Sequence, residues 1–301
     1  MMFMLRGIAL TLVLVTTTLC GSSLQAKSQS QSKGRVLVVL SSANELTLRS
    51  GQKYPTGFYL NEFAVPVKAL IQAGYEPVFA DPKGNAVKWD AHSASPRYFG
   101  GSEKALQDTI QFVEGLDSLK HPRSLASVNA EGINAYVGIV IPGGHAPLED
   151  LMTDPDLGKI LHAFHSAGKT TALICHGPVA LVSSLPDASG FHDALMTGNM
   201  NDIRQLAGGW PYAGYRMTVF SIPEEHFAET HQLNGHVFFY PATALTDAGA
   251  TVETAKAWTP NVVTDRELIT AQQPFSDKEF SVALIKALDN QTKPQDVPSL
   301  K

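Results

Sequence analysis

The strongest constraint on the fold of this chain is a series of short, almost uninterrupted apolar runs, the first of which extends from Arg35 to Leu40. Similar runs follow at 77–80, 136–141 and 170–174. Such runs are typical of strands that are covered on both faces, as in parallel sheets. Predicted helices lie between them at 61–73 and 155–167, and each ends before a glycine, the expected helix stop. This alternation predicts an α/β fold with a doubly wound, mostly parallel, flavodoxin-like sheet sandwiched by helices.

One segment, residues 81–130, interrupts the alternation. It is rich in Ser, Pro, Gly and charged residues, and it contains one predicted helix, from Glu103 to Leu116. We interpret it as a capping insertion within a single domain over residues 35–290, because loops at strand ends usually carry function. The alternative is a surface excursion without a role. The remaining predicted elements are strands at 217–220 and 262–270, a helix at 277–288 and a C-terminal tail at 291–301.

The N-terminal residues predict export. Residues 1–26 have the pattern of a secretory signal peptide, with Arg6 preceding an apolar core at 7–19 that is too short to cross a membrane. Residues 27–34 form a polar tether. We therefore expect a periplasmic or extracellular protein that has no membrane association after signal removal. A lipoprotein site at Cys20 is the less favoured interpretation.

Charge and cysteine content narrow the partners and the source of stability. The formal net charge is −5 and the sequence has no basic blocks, which argues against binding to nucleic acid or anionic lipid. Of the two cysteines, only Cys175 remains after the predicted cleavage. The mature chain would then have no internal disulfide, so its stability would depend on its hydrophobic core.

Cys175 is the candidate nucleophile. It follows the predicted strand at 170–174, and Gly177 and Pro178 predict a helix that begins directly after His176. This arrangement resembles the nucleophile elbow, a sharp strand-to-helix turn that presents a reactive side chain. A thiol at a helix N-terminus should have a lowered pKa and an accessible thiolate. The alternative is a buried, inert cysteine.

A glycine-rich loop follows the neighbouring predicted strand. The sequence Ile-Pro-Gly-Gly-His at 141–145 places Gly143 and Gly144 at the strand end, where their backbones can approach a ligand closely. We predict that Gly143, Gly144 and His145 bind the substrate, with the amides of Gly144 and His176 forming an oxyanion hole. Taken alone, the same pattern is compatible with an ordinary glycine turn.

In this order, these motifs resemble the ThiJ/PfpI superfamily, and within it the branch of heat-shock chaperones and glyoxalase III-like enzymes. The resemblance covers residues 35–290, including the capping insertion. The segments that carry it are 55–62, 140–151, 172–181, 218–225 and 265–274.

The resemblance implies specific roles around Cys175. The glutamate that contacts the cysteine in this family corresponds to Glu62, which would transfer protons as a general acid and base. His176 corresponds to the base of a catalytic triad, and Glu225 to the acid that orients its imidazole. Glu224 is the main competitor for that third position.

The resemblance does not extend to a metal site. Bacterial chaperones of this branch bind a metal near the first helix, but the corresponding positions here are Leu70 and Tyr75, which cannot serve as the expected ligands. His162 and His165 share a predicted helix face but lack nearby cysteines or an HExxH pattern. We therefore predict neither a metal nor another cofactor.

The function implied by the resemblance is a cofactor-independent, glyoxalase III-like activity on methylglyoxal-type 2-oxoaldehydes, through a thiohemiacetal on the cysteine. Deglycation of amines would begin with a similar adduct, and family members are commonly homodimers. The alternatives are a holdase chaperone, a cysteine redox sensor, and, less favoured, an amidase or peptidase. A class I glutamine amidotransferase is disfavoured because Leu173 stands where its Gly-x-Cys-x-Gly turn requires glycine.

Overall fold

The computed structural model describes residues 32–292, whose centre is a seven-stranded sheet. The strands are β1 Arg35–Val39, β2 Glu45–Thr47, β3 Lys53–Pro55, β4 Glu76–Asp81, β5 Arg123–Ser124, β6 Gly138–Ile141, β7 Thr170–Ile174, β8 Arg216–Met217, β9 Thr251–Val252, β10 Val262–Asp265 and β11 Leu268–Ala271. The α-helices are α1 Leu60–Gln72, α2 Glu103–Glu114, α3 Leu125–Glu131, α4 Pro155–Ser166, α5 Ala188–Thr197, α6 Met200–Leu206, α7 Ile222–Ala228, α8 Pro241–Asp247 and α9 Asp277–Thr292.

The strand order in the main sheet is β10-β11-β7-β6-β1-β4-β5. Neighbouring strands are parallel except for the antiparallel pair β10 and β11. The chain passes from β1 to β4 on one side and later returns to β6 on the other, so the strand order reverses between β1 and β6. In open α/β sheets, ligands bind beyond the carboxyl ends of the strands near such a reversal. The predicted doubly wound, mostly parallel fold is confirmed.

Two hydrophobic cores cover the two faces of this sheet. On β1, Val36 and Val38 belong to one core, which they share with buried residues of α1 and α9. Leu37 and Val39 belong to the other core, together with buried residues of α4. Successive side chains of a strand point to opposite faces, so an apolar run without alternation is what a strand buried on both sides requires. Each fully buried aliphatic side chain contributes about 1.5–3 kcal/mol to stability.

The segment predicted as a capping insertion has two parts in the structure. Helix α2 places Leu106 and Val113 in the same core as α1. The end of the segment is part of the main architecture, because β5 is the edge strand beside β4 and α3 contributes Leu125 to the other core. The capping portion therefore ends before Arg123, earlier than the predicted boundary at residue 130.

The final third differs from the prediction in detail. Instead of the strand expected at 217–220, the structure has the two-residue strand β8, Arg216–Met217, which pairs with β9 outside the main sheet. The expected strand at 262–270 is an antiparallel pair, β10 and β11, because the chain turns at Arg266, which has a φ of +55°. The chain after Cys175 forms a 3-10 helix, Gly177–Ser184, in place of the expected α-helix.

Some predictions fall outside the part of the chain that the structure describes. They are the signal peptide at 1–26, the tether up to residue 31 and the tail from residue 293. Within residues 32–292, no helix has both the length and the apolar character that are needed to span a membrane.

Candidate active site

Cys175 lies at the carboxyl end of β7, immediately before the 3-10 helix. Its φ is +63°, a left-handed conformation that costs a non-glycine residue about 1–3 kcal/mol and is found mainly at functional sites. The backbone is held on both sides of the turn, since the Cys175 N–H donates to Ala271 and the Phe220 N–H donates to the Cys175 carbonyl. The turn thus has the strained backbone of a nucleophile elbow.

The loop after β6 brings Gly143 against Cys175. A Cβ atom on Gly143 would lie 2.5 Å from the Cβ of Cys175 and 2.7 Å from Oε2 of Glu62, so only glycine fits there. Gly144 follows with a φ of +86°, again in the region that favours glycine. The backbone N–H groups of Gly144 and His176 lie close enough to the Cys175 sulfur to lower the pKa of the thiol. The two amides expected to form an oxyanion hole therefore converge on the candidate nucleophile.

Glu62 lies in the first turn of α1 and is completely buried. Its Oε2 accepts a hydrogen bond of 3.2 Å from the Gly143 N–H, and the carboxyl lies beside the Cys175 side chain, close enough to affect its pKa. Its Oε1 is buried and has no hydrogen-bond partner among the described residues. Burial raises the pKa of Glu62 from 4.5 to about 8, so the side chain is mostly protonated at neutral pH.

The Cys175 thiol is less accessible and has a higher pKa than the sequence predicted. Its side chain is only 3% exposed, and the pKa of the thiol is raised by burial and then by the neighbouring Glu62, against the lowering effect of the two backbone N–H groups. The predicted accessible thiol of low pKa is therefore wrong. The 3-10 helix that follows has only eight residues, and its dipole does not outweigh the loss of solvent around the sulfur. A base has to remove the thiol proton when a substrate reacts.

His176 is placed to be that base. Its Nδ1 lies 3.2 Å from the Cys175 sulfur, and its Nε2 lies 2.8 Å from Oε2 of Glu225. Glu224, the alternative partner, instead accepts hydrogen bonds from Ser221 and from the Trp258 N–H. Of the two adjacent glutamates, only Glu225 contacts the imidazole. The three side chains form a continuous chain of hydrogen bonds, which the sequence spacing alone could not establish.

Glu225 is also hydrogen-bonded to a second imidazole, that of His145. Nε2 of His145 lies 2.9 Å from Oε1 of Glu225, and the rings of His145 and His176 have their centroids 4.1 Å apart. Burial opposes ionisation of Glu225, but its charge interactions and hydrogen bonds with the two histidines outweigh that effect and lower its pKa below the usual range. Burial, together with the neighbouring His145, lowers the pKa of His176 to about 4. At neutral pH the arrangement therefore contains the carboxylate of Glu225 and the neutral imidazole of His176.

The same three side chains are the ones most suited to holding a cation within residues 32–292. One potential ligand atom from each of His145, His176 and Glu225 lies within 4.8 Å of the others. Both Nε2 atoms are within hydrogen-bond distance of the carboxylate, so a cation would have to replace two N–H···O bonds. The two histidines and the glutamate therefore already satisfy one another through hydrogen bonds, without a cation.

A narrow cavity leads to the sulfur of Cys175, with about 20 Å³ open to the centre of a water-sized molecule. Besides Gly144, His145, Cys175 and His176, the residues that line it are Tyr59, His92, Tyr98, Phe220, Phe227, Ala228, Gln232, Trp258 and Pro274. His92 and Tyr98 come from the capping segment, which therefore shapes the cavity. The lining is aromatic and contains no lysine, arginine or carboxylate. A small, uncharged ligand fits this environment best.

Several cavity residues had no signal in the sequence. The ring of Phe220 stacks on His176 at a centroid distance of 4.5 Å, and the hydroxyls of Tyr59 and Tyr98 lie 3.0 Å apart. Trp258 has a φ of +64° and packs against Phe220. These aromatic residues come from distant segments, and an isolated aromatic residue in a sequence is more often part of a core. The position of His145 after two glycines was the only available indication of its place in the site.

Comparisons with known proteins agree with the fold described above. The family model described as the DJ-1/PfpI family matches residues 55–209, slightly more than half of the 301 residues. A protein of Staphylococcus aureus named protein/nucleic acid deglycase HchA is 25% identical over 263 residues, which cover 86% of this chain and 81% of that protein.

Two crystal structures share the fold. Glyoxalase III of Candida albicans has a TM-score of 0.65 and 24% identity, over 85% of this chain and 97% of that chain. The Rapid Encystment Protein 24 KDa of Francisella tularensis has a TM-score of 0.63 and 23% identity, over 85% of this chain and 99% of that chain.

Proposed function

This chain belongs to the DJ-1/PfpI family, and on that basis we propose that it is a cofactor-independent enzyme of the glyoxalase and deglycase type. The proposed reaction is the conversion of methylglyoxal-type 2-oxoaldehydes to 2-hydroxy acids. The observation that carries the proposal is the contact of one buried thiol with two different proton carriers, Glu62 and His176. An acyl-transfer triad needs only one proton carrier beside its nucleophile. Conversion of a 2-oxoaldehyde to a 2-hydroxy acid needs a second one, because a proton must also move from one carbon to the next.

The first step forms the covalent adduct. His176 Nδ1 accepts the proton of the Cys175 thiol as the sulfur attacks the aldehyde carbon C1, and Glu225 stabilises the imidazolium that forms. The amides of Gly144 and His176 stabilise the oxyanion on C1. Return of the proton from His176 gives a neutral thiohemiacetal. The raised pKa of Cys175 is compatible with this step, because proton removal and attack occur together.

The second step is a proton transfer between carbons. The ionised form of Glu62 removes the C1 proton, an enediol forms between C1 and C2, and Glu62 returns the proton to C2. The result is a 2-hydroxyacyl thioester on Cys175, and its hydrolysis releases the hydroxy acid and regenerates the thiol. The sum is one 2-oxoaldehyde and one water converted to one 2-hydroxy acid. The pKa of about 8 suits Glu62 to this role, since a general base works best near the operating pH.

The narrow aromatic cavity favours small carbonyl substrates over glycated macromolecules, and deglycation of small amine adducts is compatible with the same first step. The holdase alternative has less support. The large hydrophobic side chains that are exposed within the described residues lie on α1, α6, α7 and α9, and do not share one element: they are Ile71, Met200, Ile222, Phe227 and Val282. The redox-sensor alternative is weakened by the burial of the thiol and its raised pKa.

The test is conversion of methylglyoxal to lactate by the purified full chain and by Cys175→Ala. We expect turnover by the unchanged protein and a loss of at least about 10³-fold in the variant, because the covalent route is removed. Folding of the variant is verified by circular dichroism. Absence of turnover in the unchanged protein, or equal rates in both, would contradict the proposal.

A further inference from the structure

His145 is not accounted for by a triad of Cys175, His176 and Glu225. Its side chain is only 2% exposed and lines the cavity beside the thiol. Its Nε2 is hydrogen-bonded to Glu225 at 2.9 Å, but its Nδ1 is buried and has no hydrogen-bond partner among the described residues. A buried polar atom without a partner costs about 1–3 kcal/mol, so such an atom in a cavity calls for a functional explanation.

The hydrogen bonds of Glu225 determine which nitrogen of each ring carries the proton. An ionised carboxylate can only accept hydrogen bonds, so the Nε2 atoms of both His145 and His176 must donate. When an imidazole with this hydrogen bond is in its neutral form, its Nδ1 carries a lone pair and no proton. That of His176 faces the Cys175 sulfur at 3.2 Å, whereas that of His145 is left for a bound ligand.

We propose that His145 is a second catalytic base, which carries the proton between the two oxygens of the substrate while Glu62 carries the proton between its two carbons. The inference deepens the proposed function and rests on it. In the thiohemiacetal, the hydroxyl on C1 donates to Nδ1 of His145. As Glu62 removes the C1 proton, Nδ1 of His145 accepts the C1 hydroxyl proton and passes it to the C2 oxygen, so that the C2 carbonyl becomes an enediol hydroxyl.

The step balances without another reactant. C1 loses one hydrogen and its hydroxyl becomes the carbonyl of the thioester, so C1 is oxidised. C2 gains one hydrogen and its carbonyl becomes a hydroxyl, so C2 is reduced. His145 gains one proton and gives one up, and Glu225 stabilises the transient positive charge as it does for His176. Only a substrate with oxygens on adjacent carbons can use both proton carriers, which restricts turnover to vicinal dicarbonyl compounds.

The variant that tests this is His145→Gln. The glutamine amide can keep an N–H donor to Oε1 of Glu225, but it has no imidazole to accept and return a proton. We expect kcat for methylglyoxal to fall about 10²- to 10⁴-fold, the usual range for loss of a general acid or base. The matched control is His165→Gln, which alters a histidine that is hydrogen-bonded to Glu267 outside the cavity and should leave kcat unchanged.

A second measurement separates this chemical role from a structural one. Cys175 is alkylated with iodoacetamide, with and without methylglyoxal, in protein treated with a chelator. We expect the alkylation rate of His145→Gln to stay within about threefold of the unchanged protein, and methylglyoxal to protect the thiol in both, because adduct formation does not need His145. If His145→Gln does not fold, His145→Asn is measured in the same way.

The outcomes are distinct. Absence of turnover in the unchanged protein overturns the proposed function and this inference together. Turnover by the unchanged protein and by His145→Gln at rates within about threefold overturns only the inference. If His145→Gln loses both turnover and protection of the thiol, His145 has a structural role and the inference is again overturned. Loss of turnover with protection retained supports it.

Discussion

Two completely buried carboxylates reach Cys175 by different routes, Glu62 directly and Glu225 through His176. Their pKa values shift in opposite directions, to about 8 for Glu62 and below the usual range for Glu225. Glu225 accepts hydrogen bonds from two imidazoles, whereas Glu62 has the Gly143 amide and the thiol, and one of its oxygens has no partner. Burial alone therefore does not determine the charge of a carboxylate. The donors that surround it do.

Glu224 provides a third case in the adjacent position. It is also buried, and it accepts hydrogen bonds from the Ser221 N–H at 2.9 Å, the Trp258 N–H at 2.7 Å and the Gln272 amide at 3.0 Å. These contacts connect the start of α7 to two other segments. A glutamate next to Glu225 in sequence thus stabilises the local fold, because adjacent helical residues face different directions.

The largest effect should follow from removing the acid–base function of Glu62. Glu62→Gln keeps the shape of the protonated side chain, but it cannot take the C1 proton. We expect kcat for methylglyoxal to fall about 10²- to 10⁴-fold. In the unchanged protein, kcat should rise about tenfold per pH unit up to about pH 8, because Glu62 must be ionised to act as a base. A pH–rate profile of both proteins is the measurement, and an unchanged profile in the variant would contradict the role.

A smaller effect is expected on the other side of the site, from Glu225→Gln. An amide offers one acceptor and one donor, so one of the two imidazoles must change its tautomer or lose its hydrogen bond. We expect kcat to fall about 10- to 100-fold and the free energy of unfolding to decrease by about 2 kcal/mol. Both are measured by steady-state kinetics and denaturant unfolding.

The matched control for Glu225→Gln is Glu267→Gln. It makes the same change in a histidine–carboxylate pair where the His165 side chain is 28% exposed. Water can replace the lost contact there, so kcat should be unchanged. A similar loss of activity in both variants would show that the effect at Glu225 is not specific to the site.

A further effect concerns the pH dependence of stability. The folded protein retains the Glu62 proton between pH 4.5 and about 8, where the unfolded chain releases it. The stabilisation from this group is therefore complete below pH 4.5 and is lost as the pH rises to about 8. Glu62→Gln has no such proton, so its stability relative to the unchanged protein should increase by up to about 1.4 kcal/mol per pH unit in that window. Denaturant unfolding at pH 5, 7 and 9 measures the difference, and a constant difference would contradict the raised pKa.

Much of the architecture could be predicted from the sequence because it depends on local patterns. The apolar runs of β1, β6 and β7 are buried on both faces, and only such runs suit that environment. The boundaries that were missed depend on partners elsewhere in the chain. β8 is short because it pairs only with β9, and β5 belongs to the sheet because it lies beside β4. No local pattern in those segments indicates these contacts.

In the candidate site, too, some features follow from the local sequence and others depend on distant segments. The turn at Cys175 could be predicted, because a strand, a cysteine and a Gly-Pro pair are adjacent in the chain. The contact between Glu62 and the cysteine required the family resemblance, since the helix that carries Glu62 is more than 100 residues away in the sequence. The sharing of Glu225 between His145 and His176 had no indication at all, because helix α7 and the segments that follow β6 and β7 meet there.

The amino-acid sequence is sufficient to predict the parallel sheet, the elbow that carries Cys175 and the glycines that allow a neighbouring loop to approach it. These features follow from side-chain patterns and from the absence of a Cβ atom. The protonation of the site, in contrast, depends on the tertiary structure. Burial and donors from distant segments make Cys175 a thiol, Glu62 an acid of raised pKa and Glu225 a carboxylate shared by two imidazoles. A pKa depends on everything that surrounds a group in space, and neighbours in the sequence are only a small part of that environment.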